Sequence, residues 1–394
     1  MIYMEIESQI IDLAKQLEPY IIERRRDFHM YPETRFEEVR TSSIVEEELK
    51  KLGYNVLRTA ETGVIGILEG EKEGRTVALR ADMDALPIQE ENDVPYKSRI
   101  PGKMHACGHD AHTAMLLGTA RILAELKEQL KGTVKLIFQP GEEGGAGAKR
   151  IIEEGHIDDV NAIFGIHVWG HLPSGTIATK EGPIMASSDG FIIRIRGKGG
   201  HAASPHLTND PTAPATDIYN ALQKIVSRSV NPLSPIVITT PMIEASHGYN
   251  VIPDSVEIKG TLRTFDSELR SRIIKKIENI VKHYSTAWDC EGTLELFRIP
   301  YPPTINTPEL AKFVIKTARE LGPIIKAEMT MGAEDFAFYL QKVPGAFIFL
   351  GIRNEEKGII YPHHHPRFDV DESVLWKGSA LYSLLAYKYL EGDE

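Results

Sequence analysis

Cysteine is nearly absent: the 394 residues include two, Cys107 and Cys290, in dissimilar contexts. Two distant cysteines make no disulfide framework, so a reducing, cytoplasmic compartment is expected. No apolar run approaches the roughly 18–20 residues a membrane span needs. The first twenty residues, MIYMEIESQIIDLAKQLEPY, carry acids where a secretory leader wants bases and lack a small-residue cleavage site. An amphipathic helix fits them instead. Clustered positive charge is also missing. The formal net charge is −11 with both signs interspersed, and Arg24-Arg25-Arg26 has acids on either side. Counterion release needs a concentrated basic surface, which argues against nucleic acid as a partner. Glutamine is scarce, seven residues beside abundant Lys, Glu and Ile, and this leans toward a thermophilic source.

What is present is enough chain for more than one core. The first half alternates helical and short apolar patterns: Val77–Leu79, Thr133–Phe138 and Ala162–Val168 read as buried strands, Asp110–Leu130 and Ala148–Glu154 as helices. That order predicts an α/β domain, a mixed sheet with helices on both faces. Polar residues follow directly on the strand ends, where open α/β sheets place ligands. From about Ser187 the order becomes strand, helix, strand, strand, helix, strand, a ferredoxin-like α+β unit. After Pro300-Tyr301-Pro302-Pro303 the first pattern resumes. We therefore expect a catalytic domain of residues 1–186 and 298–394, interrupted by an inserted lid or dimerisation domain of residues 187–297.

The densest chemical signal is His105-Ala106-Cys107-Gly108-His109-Asp110-Ala111-His112. Three imidazoles and a thiol within eight residues suit a transition metal. Cys107 and His109 stand one residue apart and can face the same way, with Gly108 free to bend the backbone toward an ion. His112, one helical turn past His109, reads as a support for a ligand more than as a ligand, and His105 is a further imidazole of the segment. Next come Glu142 and Glu143, adjacent carboxylates after a buried strand. They repel each other unless a cation sits there, and two roles suit them: one binds a metal, the other activates water. A helix N-terminus, where acids are favoured anyway, is the other explanation. His167 ends a third strand, and His363-His364-His365 forms a C-terminal triplet.

Taken together these segments resemble the metallopeptidase family of bacterial and archaeal aminoacylases, thermostable carboxypeptidases and plant auxin-conjugate hydrolases. The matching motifs run in order along nearly the whole chain. They are Arg25–Glu33, Arg80–Pro87, His105–His112, Pro140–Gly144, Gly332–Phe336 and His364–Asp369. In the wider clan a histidine two residues before an aspartate binds metal; here Asp82 occupies that position before Met83-Asp84, which marks the Cys-containing subfamily. The resemblance implies two divalent ions per subunit, zinc first among zinc, manganese, cobalt and nickel. Cys107, His109, Glu143, His167 and His364 hold them, with His365 the alternative to His364, and Asp84 orients a ligand without binding an ion. It implies Glu142 as general base and His201 as an oxyanion donor reaching a neighbouring subunit's site. Asn250 and Arg263 bind the substrate's terminal carboxylate, for which a planar guanidinium is suited.

The expected activity is hydrolysis of an amide bond beside a free α-carboxylate. The substrate is an N-acyl amino acid or a short peptide, and the assembly a homodimer or larger homo-oligomer without membrane or nucleic-acid partners. A rival is a metal-dependent small-ligand binder of the same fold that has lost catalysis, for which a base beside the water-binding ligand has no use. A zinc nucleobase deaminase needs His-x-Glu and Pro-Cys-x-x-Cys, and neither occurs.

Overall fold

A computed structural model describes residues 2–245 and 248–392. They form two compact units. The larger holds Met1–Ile184, Ile305–Glu328 and Asp335–Glu394; the smaller holds Met185–Thr304 and Met329–Glu334. Beyond the 187–297 expected from sequence, the smaller unit takes in residues 185–186, 298–304 and a separate second piece, Met329–Glu334. That piece is drawn in by backbone bonds from the Ala186 N–H to the carbonyls of Thr330 and Gly332, which periodicity does not reveal.

The larger unit is built on an eight-stranded mixed sheet. Its order is Asn55–Thr59, Gly63–Glu69, Lys131–Gln139, Lys72–Asp82, Ala162–Pro173, Gly345–Arg353, Ile177–Thr179 and Ile324–Lys326. Lys72–Asp82, Lys131–Gln139, Ala162–Pro173 and Gly345–Arg353 run parallel. From Lys72–Asp82 the chain passes to one neighbour, Lys131–Gln139, and then crosses to the other, Ala162–Pro173. Such a reversal opens a crevice at the carboxyl ends of the strands. Asp82 and Gln139 lie at those ends; His167, expected to end its strand, instead sits midway along Ala162–Pro173, just past the last pair with Lys72–Asp82.

Alternation along the strands gives the sheet two different faces. Val77, Leu79 and Ala81 enter an apolar core with Met115 and Leu116 of the His109–Glu125 helix and with Leu381, Leu384 and Leu385 of the Leu375–Glu391 helix. Both helices are buried almost all round, as a central layer must be. Ile10 and Ala14 of the Ile2–Gln16 helix join the same core, so the N-terminal amphipathic helix is present. The opposite face carries Arg80, Gln139 and Asp335 beside the short Gly147–Glu153 and Ala337–Leu340 helices.

The smaller unit is a four-stranded antiparallel sheet, ordered Ile236–Glu244, Ser255–Thr264, Ser188–Arg196, Glu291–Tyr301. Two helices, Thr212–Ser229 and Ser267–Ala287, bury Ile218, Leu222, Ile273 and Ile277 against Phe191, Ile193, Val256 and Ile258. This is the ferredoxin-like order that the sequence pattern implies. The second helix starts on Asp266, whose Oδ1 accepts from the Glu268 and Leu269 N–H groups.

Candidate metal centre

In the larger unit, the loop before the His109–Glu125 helix sets the first two side chains. Gly108 has φ +89°, and a Cβ there would lie 2.3 Å from Val168 Cγ2. Only glycine fits, and the turn it makes presents Cys107 and His109 together. Cys107, His109 and His167 offer ligand atoms within 4.8 Å of one another, as do Cys107, Glu143 and His364, and His109, Glu142 and Glu143. Two overlapping groups thus share Cys107, and Glu142 flanks them.

His109 and His167 each have one nitrogen committed elsewhere. His109 Nδ1 donates to the Asp84 carbonyl at 2.8 Å, which leaves Nε2 as the lone-pair nitrogen. That atom is buried and has no hydrogen-bond partner among the described residues. His167 Nδ1 donates to the Val168 carbonyl at 2.6 Å, and its Nε2 lies 3.6 Å from Cys107 Sγ. A histidine that donates one nitrogen to a carbonyl and bares the other has the arrangement of a metal-bound imidazole. The donor set of one thiol, three imidazoles and a carboxylate fits two divalent ions of the zinc type. Burial pushes the Cys107 thiol up, helped by Glu143, so an ion must displace its proton.

The C-terminal triplet separates by geometry. His364 adopts φ +66°, donates its backbone N–H to the Ala106 carbonyl at 2.8 Å, and brings Nε2 within 3.1 Å of Glu143 Oε1. A left-handed backbone at a non-glycine residue is a strained choice that surrounding contacts must hold. His365 instead stacks on Tyr361, and its Nδ1 accepts from the Arg367 N–H. His363 packs beside His167 and accepts from the Gly170 N–H. His364 alone of the three joins the cluster.

Asp84 acts through the backbone. Its two carboxylate oxygens accept from the Glu142 and Glu143 N–H groups, each at 2.9 Å, while its carbonyl holds His109. One residue thereby fixes both the glutamate turn and an imidazole. His112 has no free nitrogen: Nδ1 donates to Asp82 Oδ1 at 2.5 Å and Nε2 accepts from the Val168 N–H at 2.9 Å. It braces the strand that carries His167. Both nitrogens of His105 are buried without a hydrogen-bond partner among the described residues, and neither belongs to the metal groups.

Sequence reasoning missed the buried ion cluster behind the site. Arg25, fully buried, donates to Asp110 Oδ2 at 2.9 Å, Asp369 Oδ1 at 2.8 Å and Glu372 Oε1 at 3.2 Å. His29 faces Asp110 with one nitrogen and Glu90 with the other; burial opposes its charge, and these carboxylates raise its pKa nonetheless. Asp110 follows His109, and Asp369 lies five residues after His364. The cluster ties the two ligand-bearing loops to the Glu18–Met30 helix. The Arg25–Glu33 motif was its only sequence signal, because no local pattern distinguishes a buried arginine from a solvated one.

In the smaller unit, His201 pairs with Val251 in a two-stranded ribbon, and the Ala202 N–H bonds to the Asn250 carbonyl at 3.1 Å. His201 Nδ1 accepts from the Ala203 N–H at 3.1 Å, so in the neutral ring Nε2 carries the proton and faces outward as a donor. Tyr249 beside it is fully exposed. Arg263 stands elsewhere. It is half-buried, it has no side-chain hydrogen bond or ion pair among the described residues, and burial lowers its pKa against the pull of Asp189. The ribbon leaves the sheet at the Arg196–Ser255 pair, and Arg263 lies eight residues along that strand, about 26 Å away at strand rise. Asn250 adjoins the ribbon at one end of this strand, and Arg263 stands near the other.

Comparison with known proteins now gives the family. The model of peptidase family M20/M25/M40 matches residues 78–388. The chain belongs to this family. It is 43% identical to thermostable carboxypeptidase 1 of Saccharolobus solfataricus over 98% of this chain and 99% of that protein. It is 42% identical to an IAA-amino acid hydrolase of Arabidopsis thaliana over 98% of this chain and 90% of that one. Among solved structures it resembles a dinuclear metal-binding peptidase of the M20 family from Bacillus subtilis, with TM-score 0.84, 37% identity, and 96% and 99% of the two chains covered. Membership makes the chain a metal-dependent hydrolase, and no helix among the described residues is long and apolar enough to cross a membrane.

Proposed function

We propose that this chain hydrolyses the amide bond next to a free α-carboxylate, acting as an N-acyl-amino acid amidohydrolase and as a carboxypeptidase on short peptides. The observation that carries this is the buried Glu142 carboxylate set against the two ligand groups that share Cys107. A protein that only bound a ligand would gain nothing from a second carboxylate there. Cys107, His109, Glu143, His167 and His364 hold two divalent ions, for which the thiol and imidazoles favour zinc over manganese, cobalt or nickel. Such ions, when bound, would supply Lewis acidity to the amide carbonyl and lower the pKa of a water. Glu142 is the base that takes a proton from the attacking water and returns it to the leaving amine. His201 of a neighbouring copy supplies a hydrogen-bond donor to the oxyanion. A panel of acetyl-, benzoyl- and chloroacetyl-amino acids beside dipeptides, run on metal-reconstituted enzyme, tests the reading. Turnover of none of them would leave the inactive-binder alternative.

The separation of Asn250 and Arg263 along the strand supports a homodimer. If both hold the substrate carboxylate, they come from different copies, and His201 travels with Asn250. Amidating that carboxylate is expected to cripple turnover. Arg263→Ala is expected to raise KM for free acids far more than for the amides. Equal rates on acids and amides would make this a general amidase.

Cys107 yields a test independent of activity. As a ligand it is a thiolate bound to an ion, shielded from attack. Thiol reagents are expected to modify Cys107 quickly in chelator-treated protein and slowly once metal is restored, by peptide mass mapping. Unchanged reactivity would remove Cys107 from the ligand set.

A further inference from the structure

Arg80 is a charged residue where a strand should be apolar. Its neighbours Leu79 and Ala81 point into the core, so its side chain faces the opposite side of the sheet, where it is 2% exposed. A guanidinium is costly to bury unless its N–H groups find acceptors. Nε donates to Gln139 Oε1 at 2.9 Å, one terminal nitrogen to Asp82 Oδ2 at 2.8 Å, and the other to Asp335 Oδ1 at 2.8 Å. Asp335 also accepts from Gln139 Nε2 on both oxygens, at 2.9 Å each, and from the Ala148 N–H at 3.0 Å. Those bonds occupy the four lone-pair positions of a carboxylate, so none is left for an ion.

What the group then presents to the metal centre is backbone. The Asp335 N–H lies 3.3 Å from Glu142 Oε1. A second carboxylate so close to Glu142 would repel it, but Arg80 neutralises Asp335, and a donor is turned toward the base instead. The other arm of Arg80 runs through Asp82 and His112 to the Val168 N–H, beside His167.

We propose that Arg80 and Asp335 are positioning residues that aim the Glu142 carboxylate at the reacting water and join it rigidly to the strand carrying His167. This rests on Glu142 being the base. A base displaced by about an ångström costs up to about a hundredfold in rate without weakening substrate binding.

The test uses the metal-loaded enzyme and an N-acyl amino acid that it hydrolyses. Asp335→Asn is expected to lower kcat by about ten- to a hundredfold, with KM within about threefold and both ions retained by elemental analysis. Adding Gln139→Glu to that variant swaps acid and amide around Arg80 and keeps the net charge. It is expected to restore at least about tenfold of the loss, which a general weakening of the fold would not show. Should Asp335→Asn not fold, Arg80→Lys carries the test. It keeps the charge but cannot bridge Asp82 and Asp335, so kcat is expected to fall about tenfold or more with the ions in place. An unchanged kcat, a loss explained by missing metal, or no recovery in the double variant overturns the proposal. Should Glu142→Gln leave turnover intact, the assignment of the base fails first; should it abolish turnover while Asp335→Asn does not lower it, only the positioning role fails.

Discussion

Glu142→Gln is expected to lower turnover by at least about a hundredfold while both ions remain bound, the low end of what a general base contributes. The substitution keeps size and shape. The turn that holds the residue is fixed by Asp84 through backbone N–H groups, which the new side chain does not disturb. Glutamine can still accept from the Asp335 N–H, so geometry is preserved and only proton transfer is lost. The measurement is steady-state turnover beside metal content on the same preparation. Metal lost in proportion to activity would show that Glu142 is a ligand and that Glu143 is the base.

Mixing two inactive variants is expected to bring activity back to about a quarter of wild type. Take His201→Ala, which retains Glu142, and Glu142→Gln, which retains His201. If His201 serves the neighbouring subunit, a mixed dimer holds one site with both groups and one with neither, as a two-fold interface dictates. Random exchange makes about half the dimers mixed, each with one competent site of two. The outward Nε2–H of His201 and its fully exposed neighbour Tyr249 are what such a trans contact requires. Subunit exchange confirmed by mass spectrometry, with activity no higher than the mean of the two variants, would confine His201 to its own copy.

Much of this was legible in one dimension. The strands ending at Asp82 and Gln139 and the one carrying His167 announce themselves as short apolar runs, though the last runs on to Pro173, and the ferredoxin-like order follows from periodicity. His109, Cys107 and the glutamate pair stand out because their chemistry is dense over a few residues. Arg80 and Asp335 do not, since they are 255 residues apart and meet only across the sheet. The resemblance favours His364 over His365, and the physical reason, a positive φ that turns it toward Glu143, leaves no mark in the residue type. The separation of Asn250 from Arg263 needed strand length and register. The proposed ligands sit in short, chemically dense segments that can be read singly; the residues that brace those segments do not.

Arg25 carries a consequence for how the enzyme matures. Its bonds to Asp369 and Glu372 span 344 and 347 residues, so the Glu18–Met30 helix gains these partners only when a segment made much later arrives. Contacts of such span close late, after local structure has formed. A nascent chain holding Cys107, His109, Glu143 and His167 has most of the ligands but no His364, and the carboxylates that neutralise Arg25 from the far end are still unmade. With His364 as a ligand, the proposed ligand set is complete only once the segment carrying Asp369 and Glu372 has joined the fold.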